Sequence, residues 1–445
     1  MQKASRYIFT GLVFALVIPV FGSRVMAQQS PIDTKLAEKY FQEAGALCDR
    51  DHERLWGVSL CGPMLFVDPA THALVANSAD REGLLTKQGD VYVGHWPEGR
   101  PTANTANDWA GLKWTTIQWP LPVNKYARTR LMMHELFHRI QDQIGLPGSN
   151  PMNNHLDSLE GRILLQLEWL ALREAVTHQG TERRKAIDDT LVFRFRRREL
   201  FPEAAEEERA LEMNEGLAEY TGVILSGRTI TEIPGYLAAR LDSAPNRVTT
   251  FVRSFAYETG PAYGFLLDQI KPTWRAQLKK GDDLTIILQT AFRFRLPANL
   301  EGEARVRART YDGDFLRASE TARDNRRQTS LKTYRAKLVD GPILILPATS
   351  EINYSYDPNE LQPLGDIGTV YPTLKVSDAW GTLTVTGGAL MSRKENRLTI
   401  IYVPAPADTN TTQLKGDGWQ LELKAGWMVG AGDRKGDFVV RKVAQ

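Results

Sequence analysis

Residues 125–290 read as helix almost without interruption, whereas residues 334–445 break into short β-like runs between Gly and Asp turns. A chain that segregates helices from strands in this way folds as α+β, not as alternating β–α units around a parallel sheet. The N-terminal part fits that class. Residues 33–48 space Leu36, Tyr40, Phe41 and Leu47 along one helical face, and strand-like runs follow at 55–67, 73–76, 91–96 and 113–119. Residues 97–112, rich in Gly, Pro, Asn and Thr, read as a loop. The spacing predicts helices at 126–144, 157–178, 186–200, 204–226 and 257–279, and a sandwich or barrel at the C-terminal end. A highly charged stretch from Arg323 to Gln328 marks the boundary, giving units at 28–325 and 326–445.

Residues 1–27 stand apart. Lys3 and Arg6 precede the apolar run Tyr7–Phe21, and Val25-Met26-Ala27 precedes a cut site, the pattern of a signal peptide. The run is short and contains Pro19, which argues against a membrane span of about 20 residues. The mature chain is therefore expected to be exported, periplasmic or extracellular, without a stable span. An oxidising destination lets Cys48 and Cys61 pair, and a bridge closing that short loop would contribute on the order of 3 kcal/mol.

With 55 basic and 53 acidic residues, the chain is too balanced for a nucleic-acid binder that works by neutralising phosphates. Two cysteines exclude a multi-cysteine zinc cage, and seven histidines are few enough to consider singly. Two of them fall in His134-Glu135-Leu136-Phe137-His138. Histidines four apart share one face of a helix, so both imidazoles reach one metal ion, and the intervening Glu135 can hold a water brought to it. Chance produces such a match roughly 0.007 times in a chain of this composition.

A catalytic zinc site takes three protein ligands and keeps one position open. The remaining histidines (His52, His72, His95, His155 and His178) show no supporting pattern, and two glutamates compete for the third place. Glu160 opens a helix, but Asp157 three residues earlier makes a capping box with it, a sufficient structural reason for that carboxylate. Glu215 lies in Asn214-Glu-Gly-Leu-Ala-Glu-Tyr220, with Glu219 one turn further on the same face. One of these carboxylates can bind metal while the other accepts the second ring N–H of a ligand histidine.

HELFH together with NEGLAEY resembles the gluzincin zinc peptidases of the peptidase MA-like group. The resemblance implies a zincin-like catalytic unit in which His134, His138 and Glu215 bind Zn2+ and Glu135 is the general base. Tyr257-Glu-Thr-Gly260 is similar to the YEKG segment of gluzincin aminopeptidases, which implies that Tyr257 stabilises the tetrahedral intermediate. The chain departs from the family in two places. His138 and Glu215 are separated by 76 residues, so a helical insertion at 157–200 must return the glutamate to the metal. The GxMEN segment that holds a free substrate amine is absent, so nothing supports an aminopeptidase.

The expectation is an exported zinc peptidase acting on a peptide or protein, with substrate extended along the edge strand Trp114–Trp119. The alternatives are a non-catalytic binding protein on a zincin scaffold and a zinc hydrolase of a non-peptide amide. The run Arg194, Arg196, Arg197 and Arg198 reads as a solvated helix face. Trp96, Trp109, Trp114 and Trp119 suit a cleft or a core equally, and Tyr354, Tyr356, Tyr371 and Trp380 read as the core of the C-terminal unit.

Overall fold

The computed structural model describes residues 32–97, 100, 102–357, 361–394, 397–409 and 411–443, so the signal peptide expected at 1–27 lies outside the described residues. The architecture is α+β. Helix α1 (Thr34–Asp51) starts where the Asp33 carboxylate accepts from the Lys35 and Leu36 amides, and it buries Tyr40, Ala44 and Leu47. Six strands follow: β1 (Met64–Val67), β2 (Ala73–Ala76), β3 (Thr86–Gln88), β4 (Val91–His95), β5 (Thr105–Trp109) and β6 (Leu112–Gln118). Among the described residues they form one sheet in the order β3-β4-β2-β1-β6-β5, with β1 parallel to β6 and the other pairings antiparallel.

Two expectations change here. The stretch expected to be loop holds β5, joined to β6 by a tight turn at Ala110 and Gly111, both with positive φ. Strand β6 is consequently interior, paired to β1 on one side and β5 on the other, so β5 is the edge beside it. The sheet is covered on both faces. Phe66, Val75 and Ile117 join the main helical core, while Leu65, Val67 and Leu74 pack with Trp96, Trp109 and Trp114 on the opposite side. Those three tryptophans are core, not cleft.

The helical part comprises α2 (Lys125–Ile140), α3 (Leu159–Thr177), α4 (Gly180–Leu200), α5 (Ala204–Leu211), α6 (Leu217–Ile224), α7 (Ile233–Arg247), α8 (Ala256–Ile270), α9 (Leu284–Phe292), α10 (Leu300–Ala308) and α11 (Gly313–Arg335). A single π-turn, Glu212–Gly216, joins α5 to α6. Helix α3 is capped by the Ser158 hydroxyl, not by Asp157, and Glu160 pairs with Arg317 of α11 instead of closing a capping box. The Asp157 carboxylate instead accepts from Thr250 and from the Phe251 amide.

The arginine run is the largest correction. Arg194 and Arg197 are fully buried, and Arg198 is nearly so. Arg194 makes a forked pair with Glu212 at 2.7 Å and reaches Glu168, and Arg197 bridges Glu168 and Glu208. Charges this deep persist only when every one is paired, and removing one partner typically costs about 3–5 kcal/mol.

Helix α11 runs unbroken through the expected boundary at 325/326, its Glu320 held by Arg162 of α3. After it, the described residues form sheets of seven and five strands between Ile343 and Lys442. Leu344, Leu346 and Ile401 of the larger sheet and Val376, Leu383 and Leu421 of the smaller share one core around the fully buried Trp380. Cys48 and Cys61 are free thiols in side-chain contact, so the expected bridge is not formed in this structure.

Candidate metal centre

Helix α2 begins at Asn124, whose side chain accepts from the Ala127 amide, and its inner face buries Met132, Met133, Leu136, Phe137 and Ile140. The same burial pins His134 and His138 one turn apart with both rings directed at one point. Their Nε2 atoms lie 3.2 Å apart, and each is 3.5 Å from Oε2 of Glu215. A tetrahedral ion with bonds of about 2.05 Å keeps its donors about 3.3 Å apart. The three donor atoms therefore stand at the spacing that such an ion requires, and among the described residues they form the group able to hold one.

Each of the two histidines is held from behind. His134 Nδ1 lies 3.0 Å from Glu219 Oε2, and His138 Nδ1 lies 2.8 Å from Gln141 Oε1. These bonds fix the tautomer that leaves Nε2 free for a metal. Glu219 is fully buried and receives Arg130 and Arg240 as well. Burial alone would raise its pKa, but the two guanidiniums and His134 hold it well below the usual carboxylate range. Burial likewise opposes a charge on His134, yet its hydrogen bonds to Glu215 and Glu219 prevail and push it up to about 9. Glu215 is lowered in the same way, its desolvation overcome by the two histidines and by Tyr257.

No protein-family model, curated protein or solved structure matches this chain.

Glu215 reaches the histidines because the chain between α2 and α6 folds as the antiparallel pair α3 and α4 and then returns through α5. The π-turn offsets Glu215 from the regular helical rows, and Glu212, which opens that turn, is locked by Arg194 and by the Thr259 hydroxyl of α8. Immediately after Glu215, Gly216 lies against Gly260 of α8 with nothing between the backbones. A Cβ on Gly260 would stand 2.3 Å from the Gly216 Cα. This approach brings Tyr257 over the site: its ring stacks on His134 with centroids 5.5 Å apart, and its hydroxyl donates to Glu215 Oε2 at 2.6 Å. Burial and the negative charge of Glu215 raise the phenol well above its ordinary value, so it stays protonated.

Glu135 is only 4% exposed, and among the described residues its Oε2 is buried without a hydrogen-bond partner. The Glu135 side chain is one of those that line the cleft beside His134, His138 and Glu215. Burial raises the pKa of Glu135, with the two histidines opposing it. Glu160 lies outside this constellation. The residues that the sequence did not reveal are Gln141, Arg130, Arg240 and Arg253. Gln141 and Arg130 stand three and four residues from a ligand histidine, a spacing that signals a shared helical face. Arg240 joins Glu219, Glu258 and the Tyr257 carbonyl from the separate helix α7, and no local pattern announces it.

Proposed function

We propose that this protein is an exported zinc-dependent peptidase with a zincin-like catalytic unit of the gluzincin type. The observation that carries this reading is the triangle of His134, His138 and Glu215 donors with the buried Glu135 carboxylate lining the same cleft. A purely structural metal has no use for a base at its open side. Bound there, zinc supplies a Lewis acid that polarises the scissile carbonyl and makes water a nucleophile near neutral pH.

The chain's own groups do the rest. Glu135 accepts the proton of the attacking water and later delivers it to the leaving amine, a role helped by the burial that raises its proton affinity. Tyr257, kept protonated, turns its O–H from Glu215 to the oxygen that gains charge. Thr105 and Ala106 of the edge strand β5 line the same cleft, so an extended peptide added to that edge passes the site. Tyr257→Phe is expected to keep its zinc while kcat falls by roughly 10²- to 10³-fold, measured alongside metal content.

The experiment that tests the reading is a digest of a broad peptide library by the zinc-loaded chain. Cleavage should disappear with a chelator and return when zinc is added back. A zinc-loaded protein that leaves the whole library intact would favour a non-peptide amide, and one that binds no metal would favour a binding role.

A further inference from the structure

Resting on the peptidase reading, we infer that Arg253 is the receptor for a substrate carboxylate and makes the enzyme selective for peptides carrying one next to the scissile bond. The cleft around the candidate metal centre is lined by amides and small residues such as Asn104, Thr105, Asn150 and Asn214, and among the described residues it has no wall of large aliphatic side chains. Selection by burial of an apolar side chain therefore has little surface to act on. Among the described lining residues the one permanently charged cation is Arg253.

Its surroundings leave that charge available. Asp142, at the rim, is matched by Lys113 at 2.6 Å, and Glu135 and Glu215 belong to the candidate metal centre, Glu215 sharing its Oε1 with Arg253. Arg253 is held through one nitrogen only: Nη2 donates to Asn150 Oδ1 at 3.1 Å and to Glu215 Oε1 at 3.2 Å. Among the described residues Nη1 and Nε have no partner, and the side chain is 45% exposed. Asn150 is in turn oriented by Asn214, the residue beside Glu215. A guanidinium anchored at one corner, with its other donors turned to an open polar cleft, is built to take a carboxylate through a fork of hydrogen bonds.

The carboxylate has two possible sources, a side chain or the peptide's own C-terminus, and the test separates them. One peptide set has Asp or Glu flanking the cleaved bond and an amidated end. The second has Asn or Gln there and a free C-terminal carboxylate one residue beyond the bond, and a third, neutral set has neither charge. The parent is expected to favour one charged set over the neutral set by roughly 10- to 100-fold in kcat/KM, the range of a charge-assisted bond. Arg253→Met should bring that ratio to about one and keep its zinc, the ratio between sets being the readout whatever change in rate the three sets share. Arg253→Glu should instead favour Lys at the same place.

Equal loss on all three sets, or loss of zinc from Arg253→Met, would overturn the proposal and leave Arg253 as a support for Glu215. If no peptide is cleaved, the peptidase reading fails separately. Calorimetric titration of the zinc-loaded parent and Arg253→Met with glutarate then decides: weaker binding to the variant upholds the carboxylate site, and equal binding removes it.

Discussion

Glu135→Gln should bind zinc as the parent does and lose turnover by roughly 10²- to 10⁴-fold. The substitution keeps shape and volume and removes only the capacity to take a proton. It leaves the three donor atoms untouched, because Glu135 contributes none of them. Nor should the fold suffer. The Glu135 carboxylate is buried with an unpartnered oxygen and a raised pKa, so a neutral amide there relieves desolvation. The expected pattern is unchanged metal content, an unchanged or higher Tm, and a collapse confined to kcat. Metal analysis, calorimetry and single-substrate kinetics on one preparation check all three. Turnover at the parental rate would remove the general-base role outright.

Glu215→Ala should lose zinc, and Glu160→Ala should not. Disturbing a residue that merely orients a ligand typically lowers metal affinity about 10- to 100-fold, and removing one of three ligands should exceed that. The variant also releases Tyr257 and Arg253, both hydrogen-bonded to the lost carboxylate, so activity should vanish with the metal. Glu160 gives the contrast. Its carboxylate is paired with Arg317 at a half-exposed position, and surface pairs of this kind are worth about 0–1 kcal/mol. Competition against a chromogenic zinc chelator measures both affinities. Zinc retained by Glu215→Ala and lost by Glu160→Ala would transfer the third ligand to α3.

The parts of the site that the sequence disclosed are those whose geometry is local. His134 and His138 belong to one helix, so a spacing of four already places them on one face. Glu215 was named by its motif, but its arrival at the histidines depends on a π-turn and on Glu212 being clamped by Arg194 and Thr259, contacts between helices far apart in sequence. Arg194 and Arg197 looked solvated because charged residues are seldom fully buried. Their partners Glu168, Glu208 and Glu212 lie on α3, at the end of α5 and in the turn after it, and no window of sequence contains the set. Strand β5 was missed because its first four residues, Thr-Ala-Asn-Asp, are partly covered or exposed, and with only Trp109 buried the strand carries no apolar alternation. The same error moved the sheet edge to β6. Arg253 and Arg240 gave no signal at all, since each acts on a residue from another element.

The touching backbones of Gly216 and Gly260 make the third donor and the phenol a single mechanical part. With no side chain to act as a cushion, a shift of either helix is passed to the other undiminished. The backbone approach that lets the Tyr257 hydroxyl reach Glu215 is thus set by main-chain contact. This also gives the glycines in NEG and YETG one shared duty: each is small because the other is there.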